Sequence, residues 1–233
     1  MITNTRVVLF AIAALLAGLS SAAQAENDNT IRLGEYFVHF DTHASDLSGT
    51  GVGSVPPGVN MSVNDVQTLY FAYVRRLSPK FDLELAFGNP PQTTMVGKGP
   101  AKLGSVPYAG QEVATSRWIS PTLLLNYKFL DESSRLRPYV GLGMNYTHFY
   151  DNTATAAGSA ALGGPTSATL SDSFGWAATV GISYRLEENW SLYASYSQSQ
   201  IKSNMSANTS GVIRTTSIDF RPSSFVLSAG YSF

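Results

Sequence analysis

The last ten residues constrain the fold more than any other part of the chain. Phe225, Leu227, Ala229, Tyr231 and Phe233 alternate with Ser224, Val226, Ser228, Gly230 and Ser232. Successive side chains of a strand point to opposite faces, so one face here is aromatic and aliphatic and the other small and mostly polar. The same period recurs upstream. Trp190, Leu192, Ala194 and Tyr196 oppose Ser191, Tyr193, Ser195 and Ser197; Trp176, Ala178, Val180, Ile182 and Tyr184 oppose Gly175, Ala177, Thr179, Gly181, Ser183 and Arg185. Val140, Leu142, Met144 and Tyr146 oppose Tyr139, Gly141, Gly143, Asn145 and Thr147, and Leu123, Leu125, Tyr127 and Phe129 oppose Thr122, Leu124, Asn126 and Lys128. Phe81, Leu83, Leu85 and Phe87 against Asp82, Glu84 and Ala86, then Leu69, Phe71 and Tyr73 against Thr68, Tyr70, Ala72 and Val74, add two more strands; a weaker one lies at 31–41 around Tyr36, Phe37, Val38 and Phe40. The count is eight, and a single-chain bacterial barrel requires an even number.

Connections between these strands alternate in length. Arg75–Lys80, Leu130–Leu136 and Leu186–Asn189 are short, whereas Thr42–Asn64, Gly88–Thr115, Tyr150–Ser171 and Lys202–Thr216 are long and rich in Gly, Ala, Ser, Thr and Pro. Short periplasmic turns and long extracellular loops are the asymmetry of outer-membrane barrels. The period alone does not say which face is inward, and a soluble periplasmic β-sandwich shares it. Composition favours lipid outside: only 13% of the residues are charged, about half the ~25% of a soluble domain. The non-aromatic face is mostly Gly, Ser, Thr, Asn and charge, and aromatics cluster at strand ends (Tyr127, Phe129, Trp190, Tyr231, Phe233) as an interfacial girdle would.

The first residues agree with an exported chain. Arg6 precedes an apolar run from Val7 to Leu19, and Ala23-Gln24-Ala25 completes a cleavage site, so residues 1–25 read as a cleaved signal peptide and 26–233 as the mature barrel. Beyond Glu26 no stretch approaches the roughly 18 apolar residues of a spanning helix. Membrane crossing therefore requires a closed sheet, since hydrocarbon leaves no backbone group unpaired.

Other chemistries find little footing. A net charge of −1 with no basic stripe gives no footprint for nucleic acid. The absence of cysteine removes disulfides, thiolate metal sites and thiol nucleophiles. His39 and His43 share a strand face but stand about 13 Å apart, too far for one metal. His148, Asp151 and nearby serines have no spacing that defines a triad, so no enzyme and no cofactor is expected. Gly141-x-Gly143 lies mid-strand and Gly163-Gly164 precedes no Lys-Ser/Thr, so neither is a phosphate loop. The lumen candidates are Leu124, Tyr139, Asn145, Tyr193 and Ser197, together with Asp82, Glu84, Lys128 and Arg185, whose charges are expected to compensate one another in so narrow an interior. Pro90, Pro91 and Pro121 cannot donate to a ladder, so they either end strands at the rim or open a gap in the wall.

The residues Arg137 to Asp151 (RPYVGLGMNYTHFYD) resemble the Pro-Tyr-x-Gly-x-Gly-x-Asn-Tyr-Thr-x-Phe-Phe-Asp block of the outer membrane protein W (OmpW) family of small Gram-negative barrels. Pro121-Thr122-Leu123, Asp172-Ser173-Phe174-Gly175-Trp176 and Ser228 to Phe233 are similar to further motifs of that family, in the same order, over residues 35 to 233. The resemblance implies an all-β, eight-stranded antiparallel transmembrane β-barrel in the cell outer membrane. It also implies a narrow, largely apolar passage for small hydrophobic molecules, with release sideways through the wall in some relatives. The terminal Phe233 resembles the signal read by the barrel-assembly machinery. Implied partners are outer-membrane lipid, lipopolysaccharide and a small apolar ligand. Where the family tends to carry an inward aromatic, this chain has Ser197, followed by Gln198-Ser199-Gln200-Ile201-Lys202, which makes that part of the lumen more polar. Two functions stand: a passive channel for small, mainly apolar molecules, and a non-conducting surface barrel whose loops act in adhesion, stress protection or phage or bacteriocin docking. A continuous apolar lumen would favour the first and a charge-sealed one the second.

Overall fold

The computed structural model describes residues 28–233; the signal peptide expected at 1–25 lies outside them. In chain order the strands are β1 (Asn29–Phe40), β2 (His43–Ala44), β3 (Asn60–Val63), β4 (Val66–Ser78), β5 (Phe81–Gly88), β6 (Gln92–Lys98), β7 (Glu112–Ile119) and β8 (Thr122–Lys128). They continue with β9 (Leu136–Ala154), a short helix α1 (Ala156–Leu162), β10 (Thr166–Leu170), β11 (Ser173–Arg185), β12 (Trp190–Ser199), β13 (Lys202–Thr209), β14 (Val212–Asp219) and β15 (Pro222–Ser232).

Eight of these strands close on themselves, each antiparallel to its neighbours. The circuit runs β1, β4, β5, β8, β9, β11, β12, β15 and back to β1. Closure removes every sheet edge, as a strand protein in lipid requires. Along the wall the apolar set faces out: Leu33, Leu125, Leu142, Met144, Val180, Leu192 and Leu227 are exposed, while their neighbours in sequence turn inward. At the periplasmic end Trp190 packs on Tyr231 with ring centroids 5.2 Å apart, and Phe81, Tyr127 and Phe129 pack in sequence at 5.3 and 5.1 Å. These are the aromatic rings of an interfacial girdle.

The long connections differ from the expectation of irregular loops. They carry β2, β3, β6, β7, β10, β13 and β14, which pair with the upper part of β9 into an extension of the wall beyond the membrane. With 19 residues, β9 runs through both parts. In the extension the alternation inverts: Met61, Met95, Val113, Met205, Ala207 and Ile218 turn inward, while polar residues such as Asn204, Asn208 and Ser217 face water. Water outside the extension and lipid outside the barrel demand opposite faces of one continuous sheet. The helix α1 is capped by the Thr155 hydroxyl, which accepts from the Gly158 N–H at 2.8 Å, and it buries Ala161 and Leu162 in the extension's core.

Candidate functional site

The lumen is built in tiers. At its periplasmic mouth lies a polar vestibule of about 400 Å³ lined by Arg76, Arg135, Arg137, Arg185, Glu132 and Glu188. Arg185 donates to the carbonyls of Glu132 and Ser133 at 2.9 and 3.0 Å, and Arg137 donates to that of Pro79 at 2.7 Å. Arg185 thus clamps the turn between β8 and β9 and does not neutralise Asp82 or Glu84 across the lumen. Above the vestibule the buried Asp82 pairs with Lys128.

The next tier closes the barrel. Arg32, 2% exposed, donates through Nη1 to Glu84 at 3.0 Å and through Nε and Nη2 to the Ser228 hydroxyl at 3.4 and 3.3 Å. Glu84 also accepts from the Tyr70 hydroxyl and, at 2.7 Å, from Asn126 Nδ2. The guanidinium lies 4.1 Å from the Tyr193 ring centroid and 5.5 Å from that of Tyr70, within cation–π range. Two glycines make room for the large rings: a Cβ on Gly181 would lie 2.4 Å from Tyr139, and one on Gly230 would lie 2.7 Å from Tyr193. Leu124 stands opposite Glu84 in register, and Ser197 turns inward to donate to Thr179 Oγ1 at 2.9 Å.

A polar collar follows, in which Asn145 Nδ2 donates to Ser120 Oγ and Thr122 Oγ1 at 2.7 and 2.8 Å, and Thr147 Oγ1 donates to Asn145 Oδ1 at 2.9 Å. Above it the lumen becomes apolar. Val38, Phe40, Trp118, Phe149, Ile201 and Phe220 are buried around a chamber whose remaining space is about 10 Å³. Phe220 stacks on Phe149 at 5.3 Å and meets Phe40 at 6.1 Å, and Phe40 meets Trp118 at 6.2 Å. The space holds one water at most, so any guest would have to displace side chains.

The wall beside this chamber is broken. Pairing of β5 with β8 ends at Ala86–Thr122, and pairing of β6 with β7 begins at Gln92–Arg117. Residues 87–91 and 118–121 between them face one another without strand pairing, and Pro90, Pro91 and Pro121 all fall in this interval. A proline offers no N–H to such a seam.

Sequence reasoning missed three members of the closing tier: Arg32, Tyr70 and Asn126. Tyr70 and Asn126 stand on inner faces whose period was legible. Arg32 sits on the weakest strand pattern, between Ile31 and Leu33, and a charged residue flanked by two lipid-facing aliphatics was the signal available.

A closed eight-stranded wall with an apolar exterior and a side-chain-filled interior defines a transmembrane β-barrel of the outer-membrane type. The chain belongs to the OmpW family, whose match spans residues 28–233. Outer membrane protein W of Vibrio cholerae serotype O1 is 30% identical over 223 residues, 94% of this chain and 96% of that protein. The dibenzothiophene metabolism operon protein PahQ of Pseudomonas aeruginosa is 31% identical over 140 residues, 58% of this chain and 59% of its own length. The crystal structure of the outer membrane protein OprG from Pseudomonas aeruginosa is similar with a TM-score of 0.78 at 25% identity, covering 91% of this chain and 98% of OprG. The protein accordingly resides in the cell outer membrane, surrounded by its lipid, as a member of a non-enzymatic barrel family.

Proposed function

We propose that the protein is a passive outer-membrane channel for small, mainly hydrophobic molecules, which enter the upper chamber from the cell surface and leave sideways into the outer leaflet. The observation that carries this reading is the order of the tiers. An apolar chamber stands directly beside a break in strand pairing, while the route down to the periplasm crosses two buried ion pairs. An apolar molecule passing those pairs would strip hydrogen-bonded charges of their partners, which costs several kcal/mol. Leaving through the seam only exchanges one apolar surrounding for another. The relative named for a dibenzothiophene metabolism operon supports an apolar cargo.

Liposome uptake of an unsubstituted polycyclic hydrocarbon tests the reading. Phe87 and Pro121 are the next facing positions beyond the Ala86–Thr122 pair, and the chain has no cysteine of its own. The Phe87→Cys/Pro121→Cys protein should take up the probe when reduced and several-fold more slowly when oxidised. Leu124→Asp in the waist should leave uptake near wild type. Uptake by wild type no faster than by empty liposomes would refute the channel. The filled chamber and sealed waist would then favour the second reading, a non-conducting surface barrel acting through its extracellular extension.

A further inference from the structure

The wall has a second seam, half a circuit away from the first. Pairing of β12 with β15 ends at Gln198–Ser223, and pairing of β13 with β14 begins at Lys202–Asp219. Across the interval the Phe220 N–H donates to the Ile201 carbonyl at 2.9 Å. Pro222 has no N–H to add, and Arg221 adopts a left-handed φ of 40°, a conformation uncommon for a non-glycine residue. The first seam lies between the third and fourth strands of the circuit and this one between the seventh and eighth.

Outside this seam is an open groove of about 430 Å³, at the junction of the lipid-facing wall and the extracellular extension. Ser199 and Pro222 line both the groove and the apolar chamber within, so the wall there is one residue thick. The rim differs from the rest of the lipid-facing surface. Gln198, Gln200, Lys202 and Arg221 supply donors, Asp41 and Asp219 supply acceptors, and the exposed Trp176 gives an apolar flank. Arg221 Nε donates to Asp219 at 3.2 Å and Lys202 Nζ lies 3.8 Å from the same carboxylate, so two cations share one partner. Side chains that both donate and accept, set at the edge of lipid, match a small polar head. The apolar chamber behind the thin wall matches a hydrocarbon body.

Resting on the function proposed above for what is carried, we propose that this groove binds amphiphiles, molecules with a hydrogen-bonding head such as a carboxyl or hydroxyl on a short apolar chain. Their heads seat against Lys202, Arg221 and the glutamines, and their chains lie along Trp176 and the Ser199–Pro222 wall. The groove serves as a second, head-selective portal opposite the seam that suits bare hydrocarbons.

The test reads binding apart from transport. Trp118→Phe/Trp190→Phe leaves Trp176 as the sole tryptophan. This protein, in phosphatidylcholine vesicles, is exposed to 11-bromoundecanoate, 11-bromoundecanol and 1-bromoundecane at matched membrane concentrations. Bromine quenches a nearby indole, and bulk lipid contact quenches equally for all three. The acid and the alcohol should each quench at least twofold more than the bromoalkane. Lys202→Gln/Arg221→Gln should bring the acid down to the bromoalkane level, and Gln198→Leu/Gln200→Leu should do the same for the alcohol. Equal quenching by all three probes, or head-dependent quenching untouched by both rim variants, would overturn the groove. Excess quenching confined to one head would assign the site to that head alone. Hydrocarbon uptake is measured on the same vesicles, so its absence beside an intact groove signal counts against the channel and not against the site.

Discussion

At the scale of single residues, the waist rests on one ion pair with little water to screen it. Glu84 satisfies its oxygens through Arg32, Tyr70 and Asn126, and Arg32 has no other carboxylate within salt-bridge distance among the described residues. Removing one partner strands the other. Arg32→Met should therefore lower barrel stability by about 3–5 kcal/mol, whereas Arg32→Met/Glu84→Met, which removes both charges, should recover most of that loss. Urea titration of the folded fraction in micelles would show it, and an Arg32→Met midpoint equal to wild type would mean the pair is solvated. The inward positions of Glu84, Asp82 and Lys128 were legible from alternation alone. The partner of Glu84 was not, because strand period places side chains on faces without saying which strands meet across a closed circuit.

At the scale of elements, the reading succeeded wherever lipid imposed a strong contrast between faces. In β15 the exposed Phe225 and Leu227 flank the buried Val226, as alternation required. It failed in β6, β7, β13 and β14, read as loops. The extension's outer face is polar and its inner face is built from small or moderately apolar residues, Met205 and Ala207 among Ser and Asn in β13, so the contrast is low and its sign reversed. In β14 a β-branched run of Val212, Ile213, Thr215, Thr216 and Ile218 was the strand signal available, and it went unread within a connection taken as a loop. The first extracellular connection instead depends on polar bracing: Asp46 accepts from the Gly58 N–H at 2.7 Å and from Asn60 Nδ2 at 3.2 Å. These bonds, led by the backbone one, hold the Asp46 carboxyl below its ordinary pKa. A depressed folded pKa stabilises fully above the unfolded value near ~3.9 and loses its effect as pH falls through the folded one. Exchange of the Gly58 amide, corrected for intrinsic rate, should be protected at neutral pH and lose that protection in the acid range below the ordinary aspartate value. Asp46→Ala should be unprotected throughout. Equal protection in Asp46→Ala at neutral pH would show that the connection is held by other contacts.

At the scale of the whole molecule, the two solvents outside the wall explain how one barrel has both a charge-filled half and an apolar-lined one. Below the seams, lipid outside forces polar and charged residues inward, and in an eight-stranded circuit they meet and neutralise one another. Above them, water outside lets the apolar residues turn inward, and a dry chamber results. Both breaks in pairing fall at the level where the apolar set passes from the outer face to the inner one, although β9 carries that change within a single unbroken strand. On the proposed route, water and ions meet the charged waist, while apolar molecules need only the chamber and a seam. In planar bilayers the wild type should show no resolvable ohmic conductance at neutral pH even while hydrocarbon uptake proceeds. Arg32→Ala/Glu84→Ala, which empties the waist of its two largest charged side chains, should gain a small ion conductance with hydrocarbon uptake unchanged. Steady conductance in the wild type would mean that the waist opens on its own, and the sideways route would lose its physical necessity.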